Sequence, residues 1–204
     1  MIPIKQFLSL FLILGVLSCE NDLSQQKTNS TRAEGIANVW VLKDRLSLNG
    51  NEGNWYYKNQ LFSGYAVKYY TNDSLQQKVG FLNGKKMGVA KTWFPNGVLR
   101  TKSYYQKNKL NGKSKSWWDN GTLASETFYI DGKTNGVAKK WYRDGTLAKL
   151  RNLVDNKEVG LQQAWLENGT LYVNYEAKNG RIFGMRRANS CYKLENEEVV
   201  SSKK

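Results

Sequence analysis

Trp93-Phe94-Pro95-Asn96-Gly97-Val98-Leu99 and Trp117-Trp118-Asp119-Asn120-Gly121-Thr122-Leu123 are two copies of one pattern, 24 residues apart. Each ends a strand-like run in aromatic residues, inserts Asn-Gly and resumes at leucine. The same interval extends in both directions without an insertion, through Gly64, Gly88, Gly112, Gly136, Gly160 and Gly184. Five positions after the first five of these glycines stand Tyr69, Trp93, Trp117, Trp141 and Trp165. Tyr70, Phe94, Trp118, Tyr142 and Leu166 follow directly. Gly97, Gly121, Gly145 and Gly169 come next, each after Asn or Asp, and Leu75, Leu99, Leu123, Leu147 and Leu171 close the pattern.

One unit has a readable physics. Val89-Ala90-Lys91-Thr92-Trp93-Phe94 is a strand-like run. Asn-Gly after it tolerates positive φ at both central positions of a hairpin turn, because glycine has no Cβ and asparagine accepts the left-handed region. Val98 to Tyr105 returns as a second strand. A second turn signal follows at Asn83-Gly84-Lys85, Asp131-Gly132-Lys133 and Asn179-Gly180-Arg181, with Lys107-Asn108-Lys109 and Asp155-Asn156-Lys157 as variants. Each unit is therefore expected to run strand, turn, strand, turn, with the repeated glycines at the turns. A lone hairpin is marginal in water, and stacking units buries the aromatic row of one against the next. The expected fold is all-β: an elongated, single-layer antiparallel sheet of stacked hairpins.

The array is expected over residues 64–192, with units starting at 64, 88, 112, 136 and 160 and a partial one at 184. Its ends depart from the pattern. The first unit carries Asp73-Ser74 at the turn, and the last has Asn189 and Ser190 where aromatics belong. Residues 35–63, with Val39-Trp40-Val41-Leu42 and the run Trp55 to Ser63, are expected to cap the open edge. Asn59-Gln60-Leu61 falls where Asn83-Gly84-Lys85 does, and residues 193–204 read as a polar, frayed tail.

The pattern G-x-x-x-x-W-[aromatic]-x-N-G-x-L, followed by Tyr and N-G-K, resembles MORN-type repeats, and among them the bacterial 24-residue variant of the YwqK family. The resemblance covers about residues 53–187. It implies a curved antiparallel sheet with an open groove, and either a binding and scaffold role or, as the family label implies, an antitoxin that neutralises a toxin by direct binding. Gly53-Asn54-Trp55-Tyr56-Tyr57 also looks like a choline-binding cell-wall repeat, but Trp-Tyr-Tyr occurs once and the interval is wrong.

Residues 1–18 have the parts of a secretory signal: Lys5, an apolar core from Phe7 to Leu17, and small residues before Cys19. Val16-Leu17-Ser18-Cys19 resembles the lipobox of bacterial lipoproteins, which implies cleavage before Cys19 and lipidation of its sulfur. The apolar core is too short for a spanning helix, which needs about 20 residues. Residues 19–34 are polar and read as a flexible tether. The expected location is the bacterial cell envelope, with the membrane as a partner through the lipid. Cys191 is then left without a disulfide partner in the sequence.

Composition narrows the function classes. There are 31 Lys and Arg against 17 Asp and Glu, and no histidine. The commonest general base near neutral pH and the commonest zinc ligand are missing. No GxSxG, HExxH or phosphate-binding loop occurs. No catalytic residue, cofactor or metal is expected. Lys85, Lys109, Lys133, Lys157 and Arg181 share one slot of five units, and Lys91, Lys115 and Lys139 share another. Stacked units would align each set into a ladder for an acidic envelope component or a protein partner. Charged turns kept for solubility account for the same ladder. Nucleic acid is disfavoured, because export separates the chain from it and the aromatics are first of all packing.

Overall fold

The computed structural model of the chain describes residues 35–185, 192–195 and 198–201. The expected signal at 1–18, Cys19, the tether at 19–34, Asn189, Ser190 and Cys191 lie outside the described residues. Four short strands come first: β1 (Trp40–Leu42), β2 (Ser47–Asn49), β3 (Asn54–Tyr57) and β4 (Gln60–Leu61), with a 3-10 turn at Lys43–Arg45. The array then runs β5 (Gly64–Tyr69), β6 (Leu75–Leu82), β7 (Lys85–Trp93), β8 (Leu99–Gln106), β9 (Lys109–Leu110), β10 (Gly112–Trp117), β11 (Leu123–Ile130) and β12 (Lys133–Trp141). It continues through β13 (Leu147–Val154), β14 (Lys157–Trp165), β15 (Leu171–Lys178) and β16 (Arg181–Met185). These form one 13-stranded sheet in chain order from β5 to β16, with β9 paired to β8 and β1 on the outer edge. Every pairing is antiparallel except β1 with β5, which is parallel.

The two turns of each unit differ from expectation. At Phe94-Pro95-Asn96-Gly97-Val98 only Gly97 has positive φ, at 81°. Gly97 N–H donates to Phe94 O at 2.9 Å, and Val98 N–H donates to Asn96 Oδ1 at 3.1 Å. The asparagine therefore acts as an acceptor for the chain two residues on, not as a left-handed turn residue. Two consecutive positive φ values occur instead at the second turn: Asn83-Gly84, Lys107-Asn108, Asp131-Gly132, Asp155-Asn156 and Asn179-Gly180. That is the two-residue hairpin whose twist matches the flanking strands. The cap carries one too, at Lys58-Asn59, one residue ahead of the expected match.

The glycines that open the units are not turn residues. Gly88, Gly136 and Gly160 lie inside β7, β12 and β14 with φ of 71°, 77° and 64°. At each, the pairing with the preceding strand skips residues, as between Val79↔Ala90 and Phe81↔Lys86. They supply the left-handed residue of a bulge. Gly64 and Gly112 begin strands, and Gly184 lies within β16. A second slip recurs at the aromatic slot, where Tyr69, Trp93, Trp117, Trp141 and Trp165 each face the unit's leucine one residue out of step.

The densest core lies at the β5 end. Val41, Leu46, Phe62, Ala66, Val79 and Phe81 form one buried cluster, with Trp55, Tyr57 and Ala90 packed against it. Trp55 and Phe62 each approach the Phe81 ring at 5.7 Å between centroids. β2, β3 and β4 make a separate three-stranded sheet rather than extending the array. Backbone bonds peg them to the second turn of the first unit: Trp55 N–H to Gly84 O and Gly84 N–H to Phe62 O, both 2.8 Å. From the last residue of the expected array into the expected polar tail, β17 (Tyr192–Glu195) and β18 (Glu198–Ser201) pair antiparallel as a hairpin.

Candidate anion-binding face

Strand register decides which cations meet. Lys78 faces Lys91, Lys91 faces Lys102, and Lys102 faces Lys115. Lys115 faces Glu126, which faces Lys139. One transverse line across β6, β7, β8, β10, β11 and β12 thus reads Lys-Lys-Lys-Lys-Glu-Lys. At a strand spacing of about 4.8 Å it is about 24 Å long. Like charges directly opposite across a ladder are destabilising, by up to about 1 kcal/mol per pair. Three such pairs stand in succession here.

Compensation is partial and sits at the two ends. Lys78 Nζ lies 3.9 Å from the Trp40 ring centroid and 4.3 Å from that of Tyr65. Burial, and then the Lys91 charge, hold its ammonium below the usual lysine range. Lys115 Nζ is 2.8 Å from Glu126 Oε2, and Lys113 Nζ is 3.2 Å from Oε1. Those contacts, the one from Lys115 first, hold the Glu126 carboxyl below its ordinary range. Between the ends, Lys102 lies 5.4 Å over Tyr104. Lys91 has no ion pair, hydrogen bond or ring partner among the described residues.

The same two slots become neutral further along the array, where the line continues as Leu150, Gln163 and Asn174. The lysine row is therefore confined to one part of the sheet and is not copied with the repeat. Strand alternation puts Trp93, Trp117 and Trp141, two residues beyond Lys91, Lys115 and Lys139, on the same face. All three indoles are half-buried. Tyr104, half-buried, and Phe128, exposed, flank the row on its other side.

The opposite face differs. Hydroxyl pairs bridge its neighbouring strands: Thr92 with Thr101 at 2.6 Å, and Ser103 with Ser114 and Ser116 with Ser125 at 2.7 Å. Beyond them a groove of about 390 Å³ is lined by Lys140, Lys149 and Arg151 among others. Burial, then Arg151 and Lys140, hold Lys149 below its usual range. Arg151 is already paired with Glu158 at 3.0 Å, and Tyr175 donates to the other oxygen of that carboxylate at 2.6 Å.

The expected turn ladder comes out differently. Lys85, Lys109, Lys133, Lys157 and Arg181 do recur just after the second turns, each opening a strand. Lys85 Nζ is taken by the cap, donating to Glu52 O at 2.6 Å, and Lys109 is paired with Asp131 at 2.8 Å. Lys133, Lys157 and Arg181 are exposed. Lys91, Lys115 and Lys139 do align, but their line is completed by Lys78 and Lys102, which the sequence reading missed. Residues 91 and 102 are symmetric about the Asn96-Gly97 turn, so hairpin register held that signal. Trp118, which follows β10 at the turn, is exposed, and Trp117 at the end of the strand is half-buried. Among the described residues, no group of three His, Cys, Asp or Glu could hold a metal ion. Among the same residues, no helix is long and apolar enough to cross a membrane, which says nothing of strands.

Comparison with solved structures finds a likeness to a S. aureus TarM mutant in complex with fondaparinux, alpha-GlcNAc-glycerol and UDP, with a TM-score of 0.30 and 14% identity. The matched region is 57% of this chain and 21% of that one, so this chain spans about a fifth of its length. Comparison with curated proteins finds no match. The family model described as MORN repeat variant matches residues 88–107 and 110–131, the stretch that supplies Lys91, Lys102, Lys115 and Glu126 to the row.

Proposed function

We propose that this chain is a non-enzymatic binding module of the bacterial cell envelope, held at a membrane by lipid on Cys19, whose lysine row receives an acidic partner. The observation that carries the reading is the run of three like-charged cross-strand pairs from Lys78 to Lys115. A fold that needed only solubility would intersperse its charges, since direct like-charge pairs cost stability. Local rules are broken chiefly where a site gains from it. Here the gain is a preformed positive field that an anion would neutralise on binding. Repeats of this kind, stacked into an extended surface, suit binding and scaffolding. The polar tether would let the array reach a partner some distance from the anchor.

The test is capture from envelope extract by the full chain and by a variant with Lys78, Lys91, Lys102 and Lys115 all replaced by Gln. Loss of the captured component in the variant is expected. Unchanged capture would sink the reading. The anchor is tested separately by Cys19→Ala, for which loss of acyl label and release from the membrane fraction are expected.

A further inference from the structure

We infer that the occupant of the lysine row is a linear acidic polysaccharide, bearing one carboxylate per sugar and lying across the strands. This rests on the binding reading above and adds the chemistry of the partner. The row is a line, with one cation per strand at about 4.8 Å intervals. It therefore suits an extended anionic polymer whose rings advance by a similar distance, each carboxylate being reached by a flexible lysine side chain as successive rings turn about the polymer axis. A membrane surface presents its charges over a plane, whereas the unrelieved cations of this face follow the row, flanked by Arg100 over the Phe94 ring and by Lys113 paired with Glu126.

The flanks point the same way. Trp93 and Trp117 stand two residues beyond Lys91 and Lys115 on the same face, and Tyr104 borders the row on the other side. Half-buried aromatic rings beside a row of charges suit the apolar faces of sugar rings as the carboxylates reach the lysines. The row also contains no arginine. Arginine's rigid fork favours bidentate phosphate, whereas lysine's rotatable point charge tolerates carboxylates that vary in pitch. Glu126, bridged to Lys113 and Lys115, ends the four-lysine segment. A run of four uronates is then the shortest ligand that spans it.

The experiment titrates the full chain with polygalacturonate and with its di- and tetrameric fragments, following tryptophan fluorescence. The tetramer is expected to bind at least about tenfold more tightly than the dimer. Replacing Lys78, Lys91, Lys102 and Lys115 by Gln should weaken binding by at least about tenfold. A charge-matched variant, with Lys109, Lys133, Lys157 and Arg181 replaced by Gln, should lose less than about threefold. Thermal melts of both variants establish that they fold. Equal losses in the two variants would overturn the inference, because net charge alone would then account for binding. So would the row binding polyphosphate or phosphatidylglycerol vesicles but not polygalacturonate, an outcome that leaves the binding-module reading standing. Undiminished envelope capture by the row variant would overturn both.

Discussion

The β5 end of the array and its middle are built from the same unit, yet they use the same slots for opposite purposes. Val79, Ser103, Thr127 and Arg151 occupy one slot of successive units, and Phe81, Tyr105, Tyr129 and Leu153 occupy another. At the first unit both slots are buried, because the segment that carries β2, β3 and β4 lies over them and supplies Trp55 from β3 with Leu46 and Phe62 from its two ends. In the middle, Ser103 and Thr127 are half-buried and carry hydroxyls. A repeat position has no fixed environment. What covers it decides whether it wants a hydrocarbon, a hydroxyl or a charge.

Truncation at matched slots tests that comparison most severely. Phe81→Ala removes a ring that is 1% exposed and contacts two others. A loss of about 3–5 kcal/mol is expected, as for other large-to-small core changes. Tyr129→Ala, in the same slot without a cap, should cost about 1 kcal/mol. Denaturant melts of the two variants check it. Equal costs would mean that the cap contributes little to the core beneath it.

A smaller contrast lies in the second turns. Gly84 and Gly132 share a slot and have φ of 73° and 83°. A Cβ at Gly84 would stand 2.9 Å from Leu61 Cδ2 and 3.1 Å from Trp55 O, whereas at Gly132 its nearest neighbour is Lys109 Cβ at 3.8 Å. Both alanine variants bear the backbone strain of positive φ, about 1–2 kcal/mol. Gly84→Ala should cost about 1 kcal/mol more, because it must also displace the cap. Equal melting-temperature losses in Gly84→Ala and Gly132→Ala would show that the cap gives way freely.

The smallest contrast separates the unrelieved lysines from the relieved one. Lys91 stands between Lys78 and Lys102, while Lys115 has Glu126 beside it. Lys91→Gln is expected to raise stability by about 0.5 kcal/mol at low salt, and Glu126→Gln to lower it by a similar amount. Both differences should shrink in salt, since the side chains are only partly buried. Acidification gives an independent check. A carboxyl held below its ordinary range contributes stability that is complete above the unfolded-state value and is lost as pH falls through the folded-state value. Wild type should therefore lose its Glu126 contribution below the ordinary carboxylate range, and Glu126→Gln should not show that decline.

Much of the architecture was legible in the residues, because strand and turn chemistry are local. The 24-residue interval, the strand pairs and the positions of both turns follow from aromatic runs bounded by Gly, Asn and Asp. The division of labour between the turns was not legible. Asn96-Gly97 and Asn83-Gly84 are the same dipeptide, but only the second has positive φ at both residues. The residues between the paired strand ends set the turn type, and Phe94 and Val98 close a longer loop around the first. A bulge glycine and a turn glycine meet the same need for positive φ, so the residues alone do not distinguish the two at the glycines that open the units.

The repeated all-β hairpin and the excess of cations are thus already present in the order of the residues. Which lysines are neighbours follows instead from pairing across the sheet. Side-chain alternation is local, but a row across a sheet is made by register. Register comes from bulges and turn lengths that bring residues such as Lys102 and Lys115 opposite each other. The cap was decided at the same level. Phe81 and Tyr129 are interchangeable in the pattern, and they part company because a folded segment covers one and leaves the other half-buried.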